Sequence, residues 1–161
     1  MNDGGSKLRS PPKGLFRWLL RVPIYIYRAG FGFVFGHRFL MMTHYGRKTG
    51  RRRYVVVEVV DRDRAHNRYC IASGFGEKSD WLRNIQHDRR VEVRVAFQRF
   101  QGNARRLSPD EAVTVLRTYA QAHPRALRNL ASFLLDRDTA QAADLPERLS
   151  EVVPIVELSP V

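Results

Sequence analysis

Between residues 46 and 53 the chain reads Gly46-Arg47-Lys48-Thr49-Gly50-Arg51-Arg52-Arg53, two glycines and five cations in eight positions. A backbone that turns on glycine can approach a ligand closely and present its amide N–H groups. Arg47, Lys48 and Arg53 add positive charge and Thr49 adds a hydroxyl donor. Together they have the composition of a phosphate cradle. The spacing is not that of a nucleotide P-loop, which needs G-x-x-x-x-G-K-[ST] and a following helix. A solvated basic hairpin has the same composition, and spacing alone does not choose between the two.

A second chemistry-bearing stretch runs from Ile71 to Asn84, reading IASGFGEKSDWLRN. Ile71, Ala72, Ser73 and Gly74 end a strand in small residues, which leaves room for a flat ligand. The helix after Ser79 carries Asp80, Trp81, Leu82, Arg83 and Asn84, and its first turn offers free N–H groups. Trp81 could stack on such a ligand and Asn84 reach its polar atoms, although a tryptophan in this setting is more often core. Elsewhere the chemistry is sparse. His37, His44, His66, His87 and His123 lack metal-ligand spacing, so no metal site is expected. Gly30-x-Gly32-x-x-x-Gly36 misses the dinucleotide spacing and reads as a loop. Glu58, inside an apolar run, is expected to face solvent at a rim, and Cys70 to be a small buried hydrophobe.

These segments need strands and turns to position them. Residues 38–45 read as a strand ended by Gly46, and 54–60 (YVVVEVV) as a strand buried on both faces. DRDRAHN at 61–67 is a polar hairpin loop before a strand over 68–73. Ser79 is placed to cap a helix to about His87. Residues 91–97 alternate as a half-exposed strand, turning at Gln98 and Arg99 into its partner. Ser108-Pro109-Asp110-Glu111 has capping-box spacing for a helix to about Ala122, and Pro124 opens another. VVPIVEL at 152–158 is a last strand, expected at an edge because of Pro154. Hairpin-length links with helices around them indicate an α+β domain built on an antiparallel sheet or small barrel. Strand–helix–strand alternation is missing, which disfavours a Rossmann sheet.

The chain has 161 residues and a 43% hydrophobic composition, enough for one packed domain and incompatible with wholesale disorder. Residues 1–12 read as a flexible tail and 13–161 as the domain. A net charge of +12, carried by 24 arginines and only 4 lysines, calls for an anionic partner, because guanidinium forks grip phosphate and carboxylate oxygens. Charge alone also admits a nucleic-acid-binding module, but no helix-turn-helix or aromatic-studded basic strand face accompanies it, so no specific nucleic acid is expected. One cysteine leaves no internal disulfide and suits a cytoplasmic setting. Lys13, Arg17, Arg21 and Arg28 share a narrow helical sector. An N-terminal amphipathic helix is expected there, kinked or split near Val22 by Pro23, either lying on the domain or meeting an anionic membrane surface. Nothing in the sequence specifies a monomer or a dimer.

The two segments in this order, followed by the VEVRV strand and a closing PIVEL strand, resemble the deazaflavin-dependent nitroreductase family from about residue 12 to 160, with Gly46–Asn84 the most specific part. The resemblance implies a split β-barrel, coenzyme F420 (FMN being the alternative) and an oxidoreductase passing hydride to an electron-poor small molecule: a quinone, an activated alkene or a nitro compound. By the same resemblance Arg47, Lys48, Thr49 and Arg53 hold the phosphate side of the anionic cofactor. Ile71, Ala72, Ser73 and Gly74 line the deazaflavin, and Asp80, Trp81, Leu82, Arg83 and Asn84 complete the pocket. Ser73 is the expected hydrogen-bond donor to the acceptor's developing charge. Two departures stand out: Ser79-Asp80 precede Trp81 where the family has a proline, and residues 124–130 contain no tyrosine. A non-catalytic FMN- or tetrapyrrole-binding barrel is the competing reading.

Overall fold

The computed structural model of the chain describes residues 21–134 and 143–161. The expected tail (1–12) and the helix positions Lys13 and Arg17 lie outside those residues. The described part begins with a short helix α1 (Val22–Arg28), in whose first turn Pro23 sits. A missing N–H costs nothing there, so Pro23 suits the opening of a helix at Val22, the position at which a break was expected.

Six strands follow: β1 (Phe39–Tyr45), β2 (Arg52–Asp63), β3 (Arg68–Ala72), β4 (Arg90–Val95), β5 (Gln98–Arg106) and β6 (Ile155–Pro160). They close into an antiparallel barrel in the order β1-β2-β3-β6-β5-β4. The alternation of each strand sorts its side chains between two cores. Leu40, Met42, Val57, Tyr69, Ile71, Val93 and Val156 fill the interior. Val60, Cys70 and Ile155 point outward, under α3 (Pro109–Ala122), α4 (Pro124–Leu134) and α5 (Leu145–Val152). The capping box of α3 is formed: Glu111 N–H donates to Ser108 Oγ at 3.3 Å and Ser108 N–H to Glu111 Oε2 at 2.8 Å.

Four sequence expectations are corrected. β6 is no edge: it lies between β3 and β5, and Pro154 escapes the ladder by standing one residue before the strand. The β4–β5 turn is Ala96-Phe97, one pair earlier than expected, with Ala96 at φ +48. β4 is not half-exposed, because Glu92 is itself buried and ringed by Arg52, Arg94 and Arg99 at 2.9, 3.4 and 3.0 Å. Glu58 likewise has partners: Tyr119 donates to it at 2.9 Å and Arg38 lies at 3.6 Å.

Candidate active site

One end of the barrel is stoppered by helix α2 (Asp80–His87), whose Leu82 and Ile85 join the interior core with Trp81 packed against it. Leu82 and Ile71 are therefore walls held from inside the barrel, and Trp81 is half-buried. The Gly46 turn lies at this same end, joining β1 to β2. It closes on itself through Gly46 N–H to Arg51 O (2.9 Å) and Gly50 N–H to Gly46 O (2.7 Å). Gly50, at φ +64, occupies the left-handed region that a side chain would strain.

Arg47 fastens the turn to α2. Its backbone N–H and its guanidinium Nη1 both donate to Asn84 Oδ1, at 3.1 and 3.0 Å, and the guanidinium reaches Asp80 Oδ1 at 3.2 Å. With two donors on its oxygen, Asn84 must turn its amide nitrogen toward His44 Nδ1, 3.2 Å away. His44 is 3% exposed. Burial, helped by the neighbouring Arg53 and opposed by Asp80, lowers its pKa to about 4. The ring is thus neutral and Nδ1 accepts. The contact between His44 and Asn84 spans forty residues of chain, and nothing in the sequence marked His44 for it.

Arg47, Asp80 and Asn84, expected as parallel ligand contacts, are thus bonded to one another. What remains outward on the turn is Lys48, Thr49, Arg51 and Arg53, all exposed. Among the described residues, Lys48, Arg51 and Arg53 have no carboxylate partner, whereas Arg52 is taken by Glu92. Thr49 Oγ1 accepts from Arg51 N–H at 3.4 Å, which leaves its proton available.

The end of β3 supplies the second wall. Ala72 and Gly74 are half-buried and Ser73 is fully buried. Ser73 Oγ lies 2.9 Å from Gly76 O and 2.7 Å from Ser79 Oγ. A hydroxyl has one proton, so both contacts are kept only if Ser79 donates to Ser73 while Ser73 donates to Gly76. Ser79 stands at the N-cap of α2 but makes no side-chain cap bond. Arg83, exposed, donates from Nε to Glu77 O at 2.9 Å and braces the same turn. A cavity of about 190 Å³ between α2 and β5 shares only Leu82 with these residues. Two of the arginines lining it are occupied, Arg105 by Glu111 and Glu157 and Arg106 by Glu77.

A turn offering three cations without a carboxylate partner and a hydroxyl donor, with Asp80 engaged by Arg47 and Glu92 by Arg52, suits a ligand that carries several acidic groups. A model of the F420H(2)-dependent quinone reductase family matches residues 20–132. The chain belongs to that family. It is accordingly an F420H2-dependent reductase, with coenzyme F420 as its cofactor. Among solved structures, an F420-H2 dependent reductase (FDR-A) is similar at 18% identity and a TM-score of 0.54, covering 77% of this chain and 96% of its own. A pyridoxamine 5'-phosphate oxidase-related, FMN-binding protein from Nostoc punctiforme is similar at 15% identity and a TM-score of 0.50, covering 92% and 82%. A general stress protein 26 from Bacillus anthracis is similar at 11% and 0.51, covering 87% and 89%. At such identities these likenesses establish the split-barrel fold. A search of curated proteins gave no match. The donor set fits F420, whose phosphodiester and oligoglutamate are the acids that Lys48, Thr49, Arg51 and Arg53 would hold.

Proposed function

We propose that this reductase delivers its electrons to a quinone-like acceptor, with the Gly46 turn gripping the acidic tail of F420 and the β3–α2 corner bordering its ring. Reduced F420, when bound, supplies a hydride to an electron-poor carbon. The chain's own residues bind and orient. The observation that carries the reading is the Arg47–Asn84–Asp80 link, which makes the cation-bearing turn and the stopper helix one rigid corner. Lys48 and Arg53 then supply charge-assisted contacts, each contributing about 1.5–3 kcal/mol of binding. Ala72 and Gly74 keep the strand end low, so a planar ring can lie against it without meeting a side chain.

Ser73 is assigned a positioning role. Its hydroxyl proton is engaged by Gly76, and the pair Ser73–Ser79 holds the end of β3 to the start of α2. Among the tyrosines, Tyr119 is committed to Glu58, and burial first, then that carboxylate, raises its pKa, so it is a poor proton source. The experiment is to follow F420H2 oxidation by the purified protein with a quinone, an activated alkene and a nitroaromatic in parallel. A quinone turned over faster than the other two is expected. Preference for the nitro compound, or oxidation of none, would contradict the proposed acceptor.

A further inference from the structure

The barrel end opposite the Gly46 turn bears an apolar surface that the site does not use. Phe31, Phe33, Val34 and Phe97 are 56, 42, 69 and 87% exposed. They form one patch rather than scattered residues: the rings of Phe33 and Phe97 stack with centroids 5.1 Å apart, and Phe31 lies 6.3 Å from Phe33. Ala96 N–H donates to Gly36 O at 3.1 Å, which ties the Ala96-Phe97 turn to the short 3-10 turn Gly32–Phe35. The aromatics therefore project from a hairpin turn and a 3-10 turn fixed to each other. Contiguous aromatic surface of this kind marks a docking face.

Its surroundings are cationic. Arg99, two residues after Phe97, and Arg38 have side chains 59 and 69% exposed, with Arg99 paired to Glu92 and Arg38 to Glu58. Arg62 lies over the Tyr69 ring, which stacks on His37 beside Gly36, and exposed Arg64 follows on the same hairpin. The nearby Asp63 is already bonded to Arg68 and His66.

We propose that this aromatic face docks the protein on an anionic lipid bilayer, with Phe31, Phe33, Val34 and Phe97 entering the interfacial region and the arginines meeting lipid phosphates. A short apolar wedge inside a basic rim is what an acidic headgroup layer complements. A second copy would bring a rim of the same sign face to face, on a molecule of net charge +12. Four side chains also fall short of the roughly 800 Å² per partner that a stable interface buries. No helix among the described residues is long and apolar enough to cross a membrane. The inference does not rest on the proposed acceptor and is tested without cofactor.

The full chain is sedimented with vesicles of phosphatidylcholine alone and of phosphatidylcholine mixed with phosphatidylglycerol. Expected are binding to the anionic vesicles only, weakening as salt rises, and a loss of about tenfold or more in Phe97→Asp and in Phe33→Ser/Phe97→Ser. The thermal midpoints of both variants should match the wild type, since Phe97 packs only at the surface. A Phe97→Trp variant should keep binding, with its added emission shifting to the blue on the vesicles. Undiminished binding of Phe97→Asp would assign the attraction to charge elsewhere, residues 1–20 included, and overturn the proposal. So would absence of vesicle binding together with a concentration-dependent dimer that Phe97→Asp dissolves.

Discussion

Asn84 is the residue on which the active-site corner turns. Its oxygen takes both Arg47 donors and its nitrogen serves His44, so no atom of the amide is idle. Arg47→Ala should therefore lower unfolding stability by about 1–3 kcal/mol as well as weaken F420 binding, while Lys48→Ala should weaken binding alone. Denaturant melts beside cofactor titrations separate the two. His44 adds a pH signature. Its pKa is about 4 folded and near 6.5 unfolded, so below pH 6.5 the unfolded chain takes up a proton that the folded chain refuses. Stability should fall by about 3 kcal/mol between pH 6.5 and 4, and His44→Asn should flatten that loss. Equal slopes in both proteins would show that His44 is not held neutral. From the sequence, Arg47, Asp80 and Asn84 had the right types for ligand contacts. That they satisfy one another depends on a turn and a helix meeting, which residue types do not reveal.

The elements explain where local reading worked and where it did not. The Gly46 turn and the α3 capping box are written in contiguous residues and formed as their residue chemistry required, whereas Ser79 stands at the start of α2 with its hydroxyl turned to Ser73 rather than capping the helix. Pro154 was misleading because its restriction applies to its own N–H, and the ladder of β6 begins one residue later. The β4–β5 turn was hidden because Ala96, not a glycine or asparagine, takes the positive φ. Glu92 looked like the polar beat of an exposed strand because its three arginine partners come from β2, β4 and β5. Ser73→Ala tests the β3–α2 corner: it should cost about 1–3 kcal/mol of stability and reduce F420 affinity with it. Normal stability with collapsed turnover would instead place the hydroxyl at the reacting atoms. On β5, a Cβ at Gly102 would collide with the backbone carbonyl of Ser159 on β6. Gly102→Ala should thus destabilise by about 1–3 kcal/mol in a thermal melt, and an unchanged midpoint would contradict the tight β5–β6 approach.

At the scale of the whole molecule, barrel closure depends on the last strand made. β6 pairs with β3 and β5 at once and puts Val156 and Leu158 into the interior and Ile155 under the helices. Truncation after Pro154 would open two strand edges and empty both cores, so the shortened chain should lose its cooperative transition. The barrel also separates two tasks by placing them at opposite ends, a cationic turn over a stopper helix and an aromatic face inside a basic rim. The measurement closest to the central claim compares affinities for F420 and for the same deazaflavin lacking its phosphodiester and glutamates, in wild type and Lys48→Ala/Arg53→Ala. The double variant should bind F420 weaker by about 3–6 kcal/mol and the tail-free chromophore as the wild type does. Equal losses for both ligands, or none for F420, would contradict a site in which the Gly46 turn holds the acidic tail.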